Sequence, residues 1–144
     1  MNDEKMPRST SKDSGGSPDH SLSHADETQN IAERSRIALK IFFDISDGWN
    51  LTGDEKITLL GNPDPANYSA WQDGEHYEVS EEVIERISYI VGIYRALRTI
   101  FPSRDRADAW IKRGNQVYGG RPALEVMLAG NLAEVRRYLD AQCT

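Results

Sequence analysis

The stretch SEEVIERISYIVGIYRALRTIFP, residues 80–102, decides the fold class. Val83, Ile84, Ile87, Ile90, Val91, Tyr94, Leu97 and Phe101 recur at intervals of three and four, the spacing of a single helical face. Ser80 stands where a helix needs a cap, and Glu81 and Glu82 suit the positive end of its dipole. Pro102 forbids continuation. This apolar stripe is too wide for either half of the chain alone. The helix is therefore expected to join an N-terminal and a C-terminal half.

Upstream, the pattern stays helical from Ile31. Asn30 and Glu33 are spaced as a capping box, and Ile31, Ala38, Ile41, Phe42 and Ile45 are expected on one apolar face ending at Gly48. Thr52 and Glu55 repeat the capping box before a second helix that turns Ile57 and Leu60 inward and stops at Gly61. Asn62-Pro63-Asp64-Pro65 reads as a turn. Asp64 then caps a third short helix with Pro65 at its first position, holding Tyr68 and Trp71 and closing at Gly74.

Downstream, Ser103 begins a short helix carrying Ala107, Trp110 and Ile111, followed by a loop from Gly114 to Gly120. Pro122 opens a further helix with Leu124, Met127 and Leu128, which Gly130 breaks. Asn131 and Glu134 are again spaced as a capping box, and Leu132, Val135 and Leu139 form the last apolar face. The nearest strand candidate, Gln116-Val117-Tyr118, is too short to count. The expectation is an all-α chain of about seven helices. Its parts are a tail over 1–30, a helix-turn-helix-like half over 31–101 and a small helical module over 102–144.

Composition narrows the function. The 144 residues hold 23 acidic and 17 basic side chains, a net charge of −6, and 38% are hydrophobic. A membrane protein, a disulfide scaffold and a strongly basic nucleic-acid coat protein are thereby excluded. Residues 1–30 contain Met1, Met6 and Leu22 as their only large apolar side chains, too few to offset the entropy of ordering, so they read as disordered. The N-terminal MNDEKMPRSTSKDSGG has no apolar core of a signal peptide, and a lone Cys143 suits a reducing cytoplasm.

Catalysis and metal binding find little support. His20 and His24 lie four apart, but no carboxylate or thiol set completes a site. His76, between Glu75 and Tyr77, has no nucleophile or base spaced to work with it. Paired acids such as Asp54-Glu55 and Glu81-Glu82 fall in first helical turns, where the dipole explains them. No enzyme activity, cofactor or metal is expected. A helix-turn-helix reading places the turn at Leu60–Pro65 and the recognition helix at Pro65–Asp73, offering Asn67, Tyr68, Ser69 and Gln72 to DNA. However, no Lys or Arg occurs from Ile57 to Val79, and phosphate contact supplies most non-specific affinity.

The segment WIKRGNQVYGGRPALEVMLAG, residues 110–130, has its own logic. Gly119 and Gly120 permit a left-handed backbone, Asn115 can bond its local backbone, and Trp110 is a large anchor. The segment resembles the C-terminal toxin-binding module of bacterial antitoxins of the Xre/MbcA/ParS family. That pattern runs Trp-Leu, a gap, Pro-Asn, two residues, Leu-Gly-Gly, a Pro-Leu-Glu helix and a Gly, then a last helix with a Val-to-Leu spacing. Trp110, Asn115, Gly119, Gly120, Leu124, Glu125 and Gly130 match, as do Val135 and Leu139. The resemblance spans about residues 31–140 and is specific from 110 to 139. Gly114 stands where the family has Pro, and Tyr118 where it has Leu. Pro122-Ala123 replaces a Ser/Thr-Pro pair, so Arg121 precedes the helix without a hydroxyl cap.

The resemblance implies an antitoxin that binds a cognate RES-domain toxin, an NAD-consuming or ADP-ribosylating protein, and occludes its NAD site with the C-terminal region. It further implies a homodimer, or a heterotetramer with the toxin, in the cytoplasm. The toxin-facing set would be Asn131, Leu132, Val135, Arg136, Arg137, Leu139, Asp140 and Thr144, with the three aliphatic residues packing on their own domain or on the toxin. Trp110, Asn115, Gly119, Gly120, Arg121, Leu124 and Glu125 would shape the module. The alternative is a DNA-binding autoregulator whose C-terminal module only dimerises, acting on operator DNA. Protein alone shifting its own promoter in a salt-dependent way would mark that alternative.

Overall fold

A computed structural model describes residues 20–75 and 78–143, with side chains from residue 30 onward. The expectations for residues 1–19, for the side chains of His20 and His24, and for His76 and Thr144 lie outside the described residues. The described residues form seven α-helices and two 3-10 turns: α1 His20–Gly48, α2 Gly53–Leu59, α3 Pro65–Asp73, α4 Glu81–Ile100, α5 Arg104–Ala109, α6 Ala123–Leu128 and α7 Leu132–Gln142. The 3-10 turns are Trp110–Lys112 and Gln116–Tyr118. One isolated antiparallel bridge, Gly114 to Pro122, is the extended pairing found among them. None of these helices is long and apolar enough to cross a membrane.

Local cap chemistry sets most boundaries. The Thr52 hydroxyl accepts from the Glu55 amide while the Thr52 amide donates to the Glu55 carboxylate at 2.9 Å, the full capping box. The Asp64 carboxylate accepts from the Ala66 amide ahead of Pro65, and the Ser80 hydroxyl from the Val83 amide. Two expected caps are corrected. Helix α1 begins at His20, so Asn30 lies inside it. Between Pro18 and Gly48 the sequence holds neither Pro nor Gly, so nothing stops the helix from running past Asn30. The α7 N-cap Asn131 makes no side-chain cap bond; its φ of −102° and ψ of 47° are not those of the other caps.

The chain divides into two compact units, residues 1–34 and 35–144. In the first, the described part is the leading portion of α1, where Ile31 is exposed. The second holds one hydrophobic core from Leu39 to Leu139. The halves meeting near residue 101 share that core. Helix α4 gives it Val83, Ile87, Ile90, Ile93, Ala96 and Leu97. Ile84, Val91, Tyr94 and Phe101, expected in the same stripe, are only partly buried.

Helix α1 is rotated from the expected face. Leu39, Phe42, Ile45 and Trp49 are buried, with Ser35 and Ser46 between them, while Ile41 is 38% exposed. The small serines keep that side of the helix narrow, and the Ser46 hydroxyl is satisfied by donating to the Phe43 carbonyl at 3.3 Å. Trp49 and Leu51 extend the core beyond Gly48. We expect Ile93→Ala to cost about 2–5 kcal/mol, as a cavity in a closed core does. Ile31→Ala, on an exposed surface, should stay within about 0.5 kcal/mol. Urea denaturation of both variants checks the assignment.

Candidate functional site

The C-terminal module is built on α4. Helix α7 lies along it, with Leu132, Val135 and Leu139 buried. Their apolar face is consumed by the chain's own core. Gly92 leaves room for the Arg136 side chain on this face of α4. The Arg136 guanidinium crosses it, so that a Cβ at residue 92 would sit 2.5 Å from Arg136 Nε. Arg136 Nη1 donates to the Ser88 carbonyl at 3.4 Å, and Nε pairs with Asp140 at 3.5 Å. Farther along, the Cys143 thiol reaches the Ala96 carbonyl at 3.8 Å. Arg136 and Asp140 are therefore partly occupied inside the chain, while Asn131, Glu134 and Arg137 are exposed.

The loop between α5 and α6 is tightly closed by its own backbone. Asn115 N–H donates to the Arg121 carbonyl at 3.1 Å, and Gly120 N–H donates back to the Asn115 carbonyl at 2.9 Å. The Asn115 side-chain oxygen accepts from the Val117 amide at 3.0 Å, capping the 3-10 turn Gln116–Tyr118. Gly119 and Gly120 take φ of 69° and 88°, the left-handed conformation a side chain disfavours. Gly114 has a different reason: a Cβ there would come within 2.7 Å of the Gly120 carbonyl oxygen. A side chain at this position would push the two loop arms apart.

Aromatic contacts tie the loop to α7. Trp110 stacks on Tyr138 with centroids 6.4 Å apart and planes 13° off parallel, and Tyr118 meets the same ring edge-on at 6.1 Å. Burial raises the Tyr118 pKa above its ordinary 10.0, and the nearby Glu134 and Tyr138 push the same way. Leu124 is buried in α6, whereas Glu125 and Arg121 face outward. The Arg121 Nε donates to the Tyr118 carbonyl at 3.4 Å. Pro122 precedes α6 with no side-chain cap, as its sequence implies.

A shallow pocket of about 240 Å³ opens beside this loop, lined by Phe101, Arg106, Trp110, Arg113, Gly114 and Asn115. Arg106 lies over the Phe101 ring, 5.6 Å from its centroid. Arg113 and Val117 are exposed at the rim, Val117 by 52%. Val117, Arg113, Arg106 and Tyr138 were not singled out by sequence reasoning. The signal for Val117 is an apolar residue inside a glycine-rich loop. The fold does not bring the DNA-reading candidates into this region. Asn67, Ser69 and Gln72 are exposed on α3, but Tyr68 is buried against Phe43 and cannot reach a base edge. No cluster of three or more metal-ligating side chains occurs among the described residues.

Residues 96–142 match the family described as the antitoxin Xre/MbcA/ParS C-terminal toxin-binding domain. The chain is also similar to an uncharacterized protein, y4oB, of Sinorhizobium fredii (strain NBRC 101917 / NGR234). The two are 40% identical over 107 residues, covering 72% of this chain and 82% of that protein. No solved structure matches.

Gly114→Ala should destabilise the chain by about 1–3 kcal/mol, because its methyl meets backbone rather than a movable side chain. Thermal melts check this. Tyr118 ionises less readily folded than unfolded. Its stabilising contribution is thus complete below pH 10.0 and is lost as pH rises through the higher folded value. Tyr118→Phe should therefore lessen the fall in melting temperature above pH 10.0, and at pH 7 it should not lower the melting temperature, because the buried Tyr118 hydroxyl has no hydrogen-bond partner among the described residues.

Proposed function

Since the chain belongs to the antitoxin family that carries the Xre/MbcA/ParS C-terminal toxin-binding domain, we propose that it neutralises a RES-domain toxin by covering that toxin's NAD site. The family implies a binding role and a toxin partner. The RES identity and the occluded NAD site extend that reading. Its main support is the overlap between the toxin-binding match at 96–142 and a module held rigid by its own core.

The fold divides the labour within α7. Leu132, Val135 and Leu139 hold the helix in place, and the outward residues Asn131, Glu134, Arg137 and Asp140 are the ones presented to a partner. A pocket built for a dinucleotide diphosphate carries cations or N–H donors. Asp140 supplies an anion for such donors, and Arg137 a cation for a carboxylate within the cleft. Residues 131–144 cannot simply be deleted to test this, because the core would lose three buried aliphatic side chains along with any inhibitory surface.

We propose that the chain acts in the cytoplasm as a homodimer, or as a heterotetramer with the toxin. Ile37 and Ile41 support self-association, exposed on α1 beside a groove lined by Ile45, Val91 and Tyr94. The alternative of operator binding through Asn67, Ser69 and Gln72 has less support, since the surrounding residues are acidic or neutral.

The test is co-expression with the toxin gene and measurement of growth and cellular NAD. The native chain should restore both. Arg137→Glu with Glu134→Lys should weaken protection about tenfold or more, as loss of contacts at a desolvated charged surface does, with an unchanged melting temperature. Full protection by this variant would refute the placement of α7 over the cleft. Failure of the native chain to protect would refute the function.

A further inference from the structure

We propose that the loop tip Val117, flanked by Arg113 and Arg121, anchors the toxin by entering an apolar socket edged with carboxylates. The inference rests on the reading that the C-terminal module binds a protein toxin, and it names the surface and the partner chemistry.

Val117 is 52% exposed at the apex of a 3-10 turn. The Asn115 side chain fixes the start of that turn and Gly119 its end, so the tip is already ordered. An ordered tip loses little conformational entropy on binding. An exposed aliphatic side chain held on so rigid a loop gains free energy only when a partner removes it from water.

The charge around the tip identifies the partner's chemistry. Residues 104–121 carry five basic and two acidic side chains on a chain whose net charge is −6; Arg104 is paired with Asp108 at 3.6 Å and Lys112 donates to the Asn50 carbonyl at 2.9 Å, which leaves Arg106, Arg113 and Arg121 as the cations of the loop region. Arg113 and Arg121 are exposed on either side of Val117 in sequence. The pocket next to Arg113 adds Arg106, the Trp110 indole and the Asn115 amide, a setting suited to one carboxylate-bearing side chain. The complementary surface is thus acidic at its edge and apolar at its centre.

A nucleic-acid backbone fits less well. Phosphates would reward the cations and give nothing to Val117. Nor can α7 supply the apolar anchor, since its aliphatic residues are buried internally.

The experiment measures binding of the full chain to its purified co-expressed toxin, for the native sequence, Val117→Asp, Val117→Ser and Arg113→Glu with Arg121→Glu. Each variant is also melted, and each is titrated with a random-sequence DNA duplex. We expect Val117→Asp to weaken toxin binding by about 30-fold or more, the scale of an interface hot spot, and Val117→Ser by less. The double reversal should weaken binding and reduce its salt dependence, with melting temperatures unchanged. Toxin binding by Val117→Asp within about threefold of native would overturn the anchor while leaving the antitoxin reading intact. So would duplex binding that matches toxin binding in strength and is abolished by the double reversal alone. No toxin binding by the native chain would overturn both.

Discussion

The packing of α7 along α4 is the constraint on which the rest of the C-terminal half depends. Leu132, Val135 and Leu139 go fully into the core, and Arg136 closes over Gly92 above them. Burying three aliphatic side chains contributes on the order of 5–9 kcal/mol before ordering entropy is charged. That is comparable to the whole stability of a small domain. Helix α7 is therefore part of the fold first. Whatever it offers a partner must come from its outward face while the inward face stays seated.

This seating also explains the shape of the loop. Tyr138, one residue before Leu139, faces away from α4 enough to stack on Trp110 and meet Tyr118. The three rings link the last helix to the α5–α6 connection, so that movement of α7 would disturb the loop and the reverse. Asn115, Gly119 and Gly120 then set the backbone from within. The surface that carries the toxin-binding match is thus rigid at both edges. Such preorganisation favours affinity by reducing the ordering cost of association.

Sequence reasoning recovered what local chemistry controls. Thr52 with Glu55, Asp64 with Pro65, and Ser80 each announce a helix start because the cap bond lies within three residues of itself. The apolar face of α7 at 132, 135 and 139 was legible for the same reason, but spacing alone left open whether that face packs on its own domain or on a partner; the contact with α4 decides it. Helix α1 was not legible in this way. It carries two apolar stripes, one through Leu39, Phe42 and Trp49 and another through Ile37 and Ile41. Periodicity cannot choose between them; the serines on the buried side decide it, and their smallness matters only once a neighbour is packed there. The candidate site divides similarly. The motif residues around Asn115 could be read from spacing, but the exposure of Val117 depends on which way a glycine-flanked turn points.

The overall acidity of the chain and the basic patch of its loop belong together. A chain of net charge −6 repels nucleic acid and acidic proteins at long range, which lowers non-specific association. Its local cations act over roughly a Debye length, about 8 Å at physiological ionic strength. Only a partner brought close in the correct orientation feels the attraction of Arg113 and Arg121. Charge segregation of this kind separates specificity from affinity: the distant field rejects, the near field orients, and apolar burial at the centre holds. The bare recognition-type helix α3, without a cation from Ile57 to Val79, has no such near field, whereas the loop that precedes α6 sets the exposed Val117 between Arg113 and Arg121 in sequence.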